Sequence, residues 1–68
     1  MNATCRLIQD GGVQGPQATI ETTAETAFAD AVAWSDGQPG HPWDGMLVTL
    51  DDGTAMECRC EDGAWEVV

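Results

Sequence analysis

Residues 45–68 read GMLVTLDDGTAMECRCEDGAWEVV, in which two Asp-Gly pairs interrupt an alternation of apolar and polar residues. Short segments in which every second residue is apolar are typical of half-buried strands. An Asp-Gly pair between two such segments is a strong hairpin signal, because both residues accept a positive φ. We therefore predict a three-stranded antiparallel meander, with strands at 45–50, 54–60 and 64–68.

The register of both hairpins follows from keeping the apolar side chains on one face, since a one-residue slip would turn them to solvent. This condition favours a two-residue turn at Asp62-Gly63 and a three-residue turn at 51–53, because a two-residue turn at 52–53 would mix the faces. The predicted pairs are Cys60–Trp65, Arg59–Glu66, Cys58–Val67, Val48–Met56 and Met46–Cys58. The pair of Arg59 and Glu66 is expected to be an ion pair on the outer face.

A second hairpin and a helix are predicted before the meander. Residues 3–9 and 17–22 alternate, and the Gly-rich segment 10–16 between them is predicted to be a loop. Thr22-Thr23-Ala24-Glu25 matches a capping box, in which the first hydroxyl and the last carboxylate each accept a backbone N–H. The helix is expected to run from there to about Trp34, before Gly37 and Pro39.

Together these elements predict an α+β fold, β-β-α-β-β-β. One helix packs on one face of an antiparallel five-stranded sheet, and the other face stays open to solvent. The 68 residues are expected to form a single domain, 1–68. The predicted core residues are Leu7, Ala18, Ile20, Ala24, Ala27, Phe28, Ala31, Met46, Val48, Met56, Cys58, Trp65 and Val67.

The composition is strongly acidic, because twelve Asp and Glu stand against two Arg and give a formal net charge of −10. Unopposed charge destabilises a compact state, so this excess in so small a domain suggests a positively charged partner. Many cationic protein surfaces are those that receive nucleic acid. No segment approaches the ~18 apolar residues of a membrane span. The sequence shows no secretory signal, and three cysteines cannot all pair in disulfides. We therefore expect no membrane partner and a cytoplasmic location, where thiols stay reduced.

Patterns for catalysis and metal binding are weak. Cys58 and Cys60 share a strand face, and a zinc site could be drafted from them with Cys5 and His41, but the spacing is not that of a zinc ribbon or finger. Packing of the cysteines in the core is the preferred interpretation. His41 has no nucleophile or orienting carboxylate at a known spacing, although Asp44, three residues away, could pair with it. We therefore expect a protein that is not an enzyme, with no catalytic residue, no cofactor and no metal.

The carboxylates are the best candidates for a functional surface. Twelve of them spread evenly over the ~4,100 Å² expected for this chain length would be too sparse to imitate duplex DNA, so mimicry requires clustering. The predicted strands supply it in part, because several acids point to the open face or sit at hairpin tips ~20 Å apart. Arg6 and Arg59 lie on the same face and interrupt it. The predicted partner-binding residues are Asp51, Asp52, Glu57, Glu61, Asp62, Glu66 and Glu21.

In length, in charge and in the layout of a helix containing 24–31 followed by the meander 45–68, the chain resembles the small acidic anti-CRISPR proteins of phages and mobile elements. The resemblance covers most of the chain but carries no sequence motif, so no site residue is transferred from the family. It implies an inhibitor of a type I CRISPR-Cas surveillance complex, Cascade, in the host bacterial cell. Its acidic surface would imitate DNA and occlude the Lys/Arg-rich groove of the Cas subunits, without binding nucleic acid itself.

Two other interpretations remain open. One is a small accessory or antitoxin-like protein that binds one partner through apolar contacts of Trp43, Leu47 and the helix face of Ala29 and Ala33. The other is a halophilic domain whose acids serve solvation alone. The flanking pair Trp34 and Trp43 is expected mainly to pack around the loop between them.

Overall fold

The helix and strands of the computed structural model follow the predicted order. The structure describes residues 1–9, 12–39 and 43–68. Its elements are β1 Asn2–Gln9, β2 Val13–Glu21, α1 Ala27–Asp36, β3 Gly45–Leu50, β4 Ala55–Glu61 and β5 Ala64–Val67. The strands form one five-stranded antiparallel sheet in the order β2-β1-β3-β4-β5. The α+β class and the order β-β-α-β-β-β are therefore confirmed.

The meander has the predicted register, since every predicted pair from Met46–Cys58 to Cys60–Trp65 is a pair of Cα partners. Asp62 and Gly63 form the two-residue turn between β4 and β5. Their φ values of 53° and 82° lie in the left-handed region that such a turn requires. Residues 51–53 form the three-residue turn, which is closed where the Leu50 N–H donates to the Thr54 carbonyl at 2.7 Å.

Strand β2 is longer than predicted. Residues 13–16, which the sequence assigned to a loop, belong to β2, and they include Pro16. A proline is tolerated there because β2 lies at an edge of the sheet, where its missing N–H can face solvent. The register of β1 against β2 shifts between Arg6 and Ile8. Of the rest of the predicted loop, Gly12 lies in a turn, and Asp10 and Gly11 lie outside the described residues.

The helix begins later than predicted, and the proposed capping box is wrong. A turn at 24–26 precedes α1, and Thr26 is the N-cap residue. The Thr22 hydroxyl donates to Asp30 Oδ2 at 2.5 Å, and the Thr26 hydroxyl donates to the same oxygen at 3.0 Å. Asp30, in the first turn, therefore fixes the entry to the helix in place of Glu25. At the other end the helix passes Trp34 and stops at Asp36.

The buried apolar side chains form one cluster, and we call the sheet face that contributes to it the inward face. Its members are Ala3, Cys5, Leu7, Ala27, Ala31, Met46, Val48, Leu50 and Cys58. Ala18, Ile20, Phe28, Met56 and Trp65, which were also predicted as core, are partly buried. The prediction is wrong for Ala24 and Val67, which are exposed. Ala24 precedes the helix, and Val67 lies on the edge strand β5.

The sheet is covered unevenly. Ala27 and Ala31 of α1 share the buried cluster with Leu7 of β1 and Met46 of β3, and α1 contacts both strands. A helix is ~10 Å wide whereas five strands span ~19 Å, so one helix cannot cover the whole sheet. Burial on the inward face decreases along β4: Cys58 is 1 % exposed, whereas Cys60, two residues further on, is only half-buried.

Candidate acidic interface

All seven carboxylates that were predicted to bind a partner are exposed. We call them the acidic rim: Glu21, Asp51, Asp52, Glu57, Glu61, Asp62 and Glu66. Four of the seven belong to the β4–β5 hairpin, two lie in the turn at the opposite end of β4, and one is the last residue of β2. The rim is therefore concentrated on one side of the sheet.

The β4–β5 hairpin gathers negative charge through strand geometry. Every second residue of β4 lies on its outer face, and these residues include Glu57, Arg59 and Glu61. The Cα atoms of successive residues on that face are ~6.6 Å apart. Glu66 lies directly opposite Arg59 on β5. The Arg59 guanidinium is 4.0 Å from the Glu61 carboxylate, so the ion pair forms along β4 and the one predicted with Glu66 is wrong. Arg59 thus offsets one of the three outer-face carboxylates.

Backbone N–H groups hold the two carboxylates at the other end of β4. Asp51 Oδ2 accepts a hydrogen bond from the Asn2 N–H at 3.0 Å, and Asp52 Oδ1 accepts one from the Thr54 N–H at 2.8 Å. The hydrogen bonds from Thr54, its backbone N–H foremost, hold the pKa of Asp52 below its ordinary value. Both carboxylates therefore present their charge from a fixed position.

Glu21 extends the rim across the first strand. Asn2 is the Cα partner of Glu21 and also exchanges hydrogen bonds with Asp51. The two acids are thus two strand spacings apart, ~10 Å. The rim follows this end of the sheet and then runs along β4. It does not cross the middle of the outer face, where the paired Thr4 and Thr49 lie.

Arg6 lies outside the rim. Its Nε donates to Gln17 Oε1 at 2.8 Å, on the side of the sheet that faces β2. Leu47 separates Arg6 from Glu57, because Leu47 is the Cα partner of Arg6 on one side and of Glu57 on the other. Arg6 was predicted to interrupt the acidic surface, but it lies beside β2 and away from the rim. Arg59 is the arginine within the rim.

Two hollows flank the end of β4. The first, of about 460 Å³, is bordered by Ile8, Gly45, Arg59 and the rim residues Glu57 and Glu61. The second, of about 350 Å³, lies between the end of α1 and the β4–β5 turn. We call it the tryptophan groove, and its main lining residues are Asp36, Trp43, Asp44, Cys60, Asp62 and Trp65.

The three cysteines are free thiols, and the predicted packing role is confirmed for two of them. Cys5 and Cys58 are buried, whereas Cys60 is half-buried. Burial raises the pKa of both buried thiols, and the nearby Glu57 carboxylate raises that of Cys58 further. Within residues 1–9, 12–39 and 43–68 no group of three His, Cys, Asp or Glu side chains is arranged to hold a metal. His41, the drafted zinc ligand, lies outside the described residues.

The residues named for an apolar interface are dispersed. Leu47 is on the outer face and 39 % exposed, while Ala29 and Ala33 are exposed on α1. Trp43 is half-buried, and its indole ring fills the space that a Cβ at Gly15 would occupy. The indole Nε1 donates to the Pro39 carbonyl at 3.2 Å. Trp43 therefore packs beside the loop that precedes β3, as the sequence predicted.

Sequence reasoning missed the tryptophan groove. It paired Cys60 with Trp65 correctly but assigned Trp65 to a covered core. The missing signal was the width of the helix, since a single helix cannot cover five strands and must leave one pair of strands partly bare. Of the acids that border the groove, Asp36 was not singled out, and Asp44 was considered only as a partner of His41.

Comparison with protein-family models, with curated proteins and with solved structures finds no match to this chain. Among the residues that the structure describes, no helix is long and apolar enough to cross a membrane. The function must therefore be inferred from the chemistry of the surface, where the acidic rim is the most distinctive feature.

Proposed function

We propose that this chain is a DNA-mimicking inhibitor whose acidic rim binds a Lys/Arg-rich surface that would otherwise receive nucleic acid. The resemblance to anti-CRISPR proteins suggests the partner, the Cas subunits of a type I Cascade complex. The protein would occlude the target-DNA groove of that complex and would carry out no catalysis. The observation that carries the proposal is the local density of negative charge on the β4–β5 hairpin.

The average charge density of the molecule is too low for mimicry, but that of the hairpin is not. Twelve acids over a surface of 4132 Å² average about 340 Å² each. Duplex DNA, treated as a smooth cylinder, has one charge per ~100 Å². The outer face of the hairpin is ~20 Å long and ~10 Å wide, and its three carboxylates less Arg59 leave two net charges on it, or ~100 Å² per charge. Locally, the charge density matches that of DNA.

The proposal also takes α1 to pack on the inward face alone, which leaves the outer face of the sheet free for a partner. The burial of Ala27 and Ala31 together with Leu7 and Met46 supports this arrangement. The exposure of every rim residue is consistent with it. A partner could then approach the outer face without displacing any element of the fold.

Charge is expected to act mainly on the rate and selectivity of association. An exposed ion pair contributes only ~0–1 kcal/mol, but a complementary field steers the encounter and excludes partners of like charge. Asp51 and Asp52 are already held by backbone N–H groups, so little side-chain freedom is lost when they bind. Added salt should weaken the complex, since the Debye length is ~10 Å at 0.1 M ionic strength.

The test is a gel-shift competition between this protein and target duplex for purified type I surveillance complexes, at low and high salt. We expect loss of DNA binding at low salt and recovery of DNA binding at high salt. If DNA remains bound while the protein co-migrates with the complex, occlusion is wrong and a later step is blocked. If the protein neither binds nor competes with any complex, the proposal fails.

Matched variants separate the rim from net charge. Glu57→Gln with Glu66→Gln lowers the negative charge of the hairpin by two. Glu25→Gln with Asp36→Asn lowers the negative charge by the same amount at two exposed positions outside the rim, in the turn before α1 and at the end of α1. Neutralising two of the three carboxylates on the outer face of the hairpin should weaken competition about ten-fold, and the second pair should weaken it much less. Equal losses from the two pairs would show that total charge, not the hairpin, matters.

A further inference from the structure

We propose that the tryptophan groove binds the side chain of an arginine presented by a protein partner. Trp43 and Trp65 line the groove together with Asp36 and Asp62, around a hollow of about 350 Å³. It draws on the inward side of the β4–β5 hairpin, where α1 leaves the sheet partly bare, and not on the outer-face carboxylates. It is therefore a site separate from the acidic rim, with which it shares only Asp62.

The aromatic walls of the groove are fixed in place. The ring of Trp43 rests on Gly15, where no side chain intervenes, and its Nε1–H is tied to the Pro39 carbonyl at 3.2 Å. Trp65 lies opposite Cys60 in the β4–β5 ladder and packs against the buried cluster. Indole is the aromatic group that attracts a cation most strongly, and a ring that is already fixed loses little freedom on binding.

The electrostatics of the groove favour a cation. Asp36 and Asp62 are exposed residues at its border, one at the end of α1 and the other in the β4–β5 turn. The last turn of α1 contains no basic residue, so the negative end of the helix dipole is not offset there. Both arginines of the chain, Arg6 and Arg59, lie on the outer face, Arg6 beside Gln17 and Arg59 beside Glu61. Neither arginine therefore offsets the charge of Asp36 or Asp62, and the arginine of a partner could do so.

An arginine fits this surface better than a lysine. The guanidinium is flat and stacks on an indole face, and its fork of N–H donors suits carboxylates that approach from the side. It is also less strongly hydrated than an ammonium group, so it enters a partly apolar hollow at lower cost. The combination of two indoles and flanking aspartates therefore selects for guanidinium.

The experiment is an NMR titration of the folded protein with acetyl-Gly-Arg-Gly-amide, followed through the indole N–H signals. The matched control is acetyl-Gly-citrulline-Gly-amide, which has almost the same shape without the charge. We expect the arginine peptide to shift the signals of Trp43 and Trp65 with millimolar affinity and to leave Trp34, which is not among the lining residues, unmoved. Equal shifts with citrulline, or no shift with either peptide, would overturn the proposal.

A variant that keeps the fold makes the test specific. Asp36→Asn removes one charge at the end of the helix, where an acidic residue is unfavourable, so the fold should not suffer. It should lower the affinity for the arginine peptide about three-fold. Glu66→Gln on the outer face, with the same change in net charge, should leave that affinity unchanged. Equal weakening by both variants would reduce the interaction to net charge and would contradict a defined site.

The half-buried thiol of Cys60 gives a second measurement on the same groove. A thiol reagent should modify Cys60 while Cys5 and Cys58 stay protected by burial, and the bound arginine peptide should slow that modification. Modification of Cys60 that is insensitive to the peptide would place the peptide elsewhere. The proposal does not rest on the rim: failure of the competition with DNA would leave this titration unchanged, and the reverse also holds.

Discussion

The two halves of the sheet differ in burial and in charge. Strands β1 and β3 share a buried cluster with α1, and Arg6 is the one charged strand residue on their outer face, where Thr4 and Thr49 also lie. The β4–β5 hairpin is only partly covered on its inward face, and it carries four carboxylates. Most buried side chains thus belong to the first half, whereas exposed carboxylates and the half-buried Trp65 are concentrated in the second.

This division follows from size. A chain of 68 residues can bury only about 60 % of the surface that it exposes when unfolded, so its stabilising contacts must be concentrated. The hairpin is aligned by its ladder and its two turns, which leaves its side chains largely free for binding. Acids accumulate there because few core contacts would be lost by placing them on that strand pair.

The largest expected effect tests whether the β1–β3 half carries the stability. Leu7→Ala empties a fully buried position on β1 and should cost about 2–5 kcal/mol in the free energy of unfolding, measured by urea denaturation. Val67→Ala on β5, where the side chain is 52 % exposed, should cost less than about 1 kcal/mol. Equal costs for the two variants would show that the hairpin is as much a part of the core as β1.

A smaller effect is expected beside the loop before β3, where the ring of Trp43 packs against Gly15 of the edge strand β2. A Cβ at Gly15 would overlap the ring of Trp43, so Gly15→Ala should displace the indole and destabilise the fold by about 1–3 kcal/mol. It should also shift the Trp43 indole N–H signal, because the bond to Pro39 would be disturbed. Gly12→Ala is the matched control, since nothing lies within 4 Å of its Cβ. A stable Gly15→Ala protein with an unchanged indole signal would contradict this packing.

The smallest effect concerns the two buried thiols, Cys5 on β1 in the first half and Cys58 on β4 in the second. The chain has no Lys and no Tyr, so thiols are the side chains that titrate near pH 9. Burial raises the pKa of Cys5 and Cys58 above the ordinary value of 9.0. As pH rises past about 9, the thiols of the unfolded chain ionise first, so the stability present below that pH is progressively lost.

The measurement is the urea midpoint between about pH 7 and pH 10.5, which should be level at first and then fall. Cys58→Ala should make the fall shallower, whatever it does to the midpoint at neutral pH. Leu7→Val should lower the midpoint at every pH without changing the slope. A midpoint that stays level through pH 10 would show that these thiols are more hydrated than their burial indicates.

Local patterns in the sequence predicted the hairpins but not the features that depend on contacts between elements. The Asp-Gly turns and the alternation of Met46, Val48 and Cys58 specify the meander register without reference to the rest of the chain. The start of the helix depends on Asp30, which receives hydrogen bonds from both Thr22 and Thr26, and no pattern of adjacent residues reveals that contact. The extent of β2 depends on which strand lies at the edge, because only there is Pro16 tolerated.

The candidate sites were also predictable only in part: the exposure of the acidic rim was predicted, and the tryptophan groove was not. The rim residues were expected to be exposed on the open face or in turns, since strand parity alone decides which way Glu57 and Glu66 point. The tryptophan groove was not predicted, because it depends on how far α1 reaches across the sheet. That distance is a property of packing between elements and is absent from any local pattern.

The edges of the sheet bear on how this protein behaves in concentrated solution. Both edge strands, β2 and β5, have unpaired backbone N–H and C=O groups, through which sheets can join into fibrils. Pro16 removes one donor from β2, and β5 is only four residues long. Each copy also carries a charge of −10, which keeps like molecules apart until salt screens it. The charge that would attract a partner would also keep this protein monodisperse at low ionic strength, and its self-association would begin as salt is added.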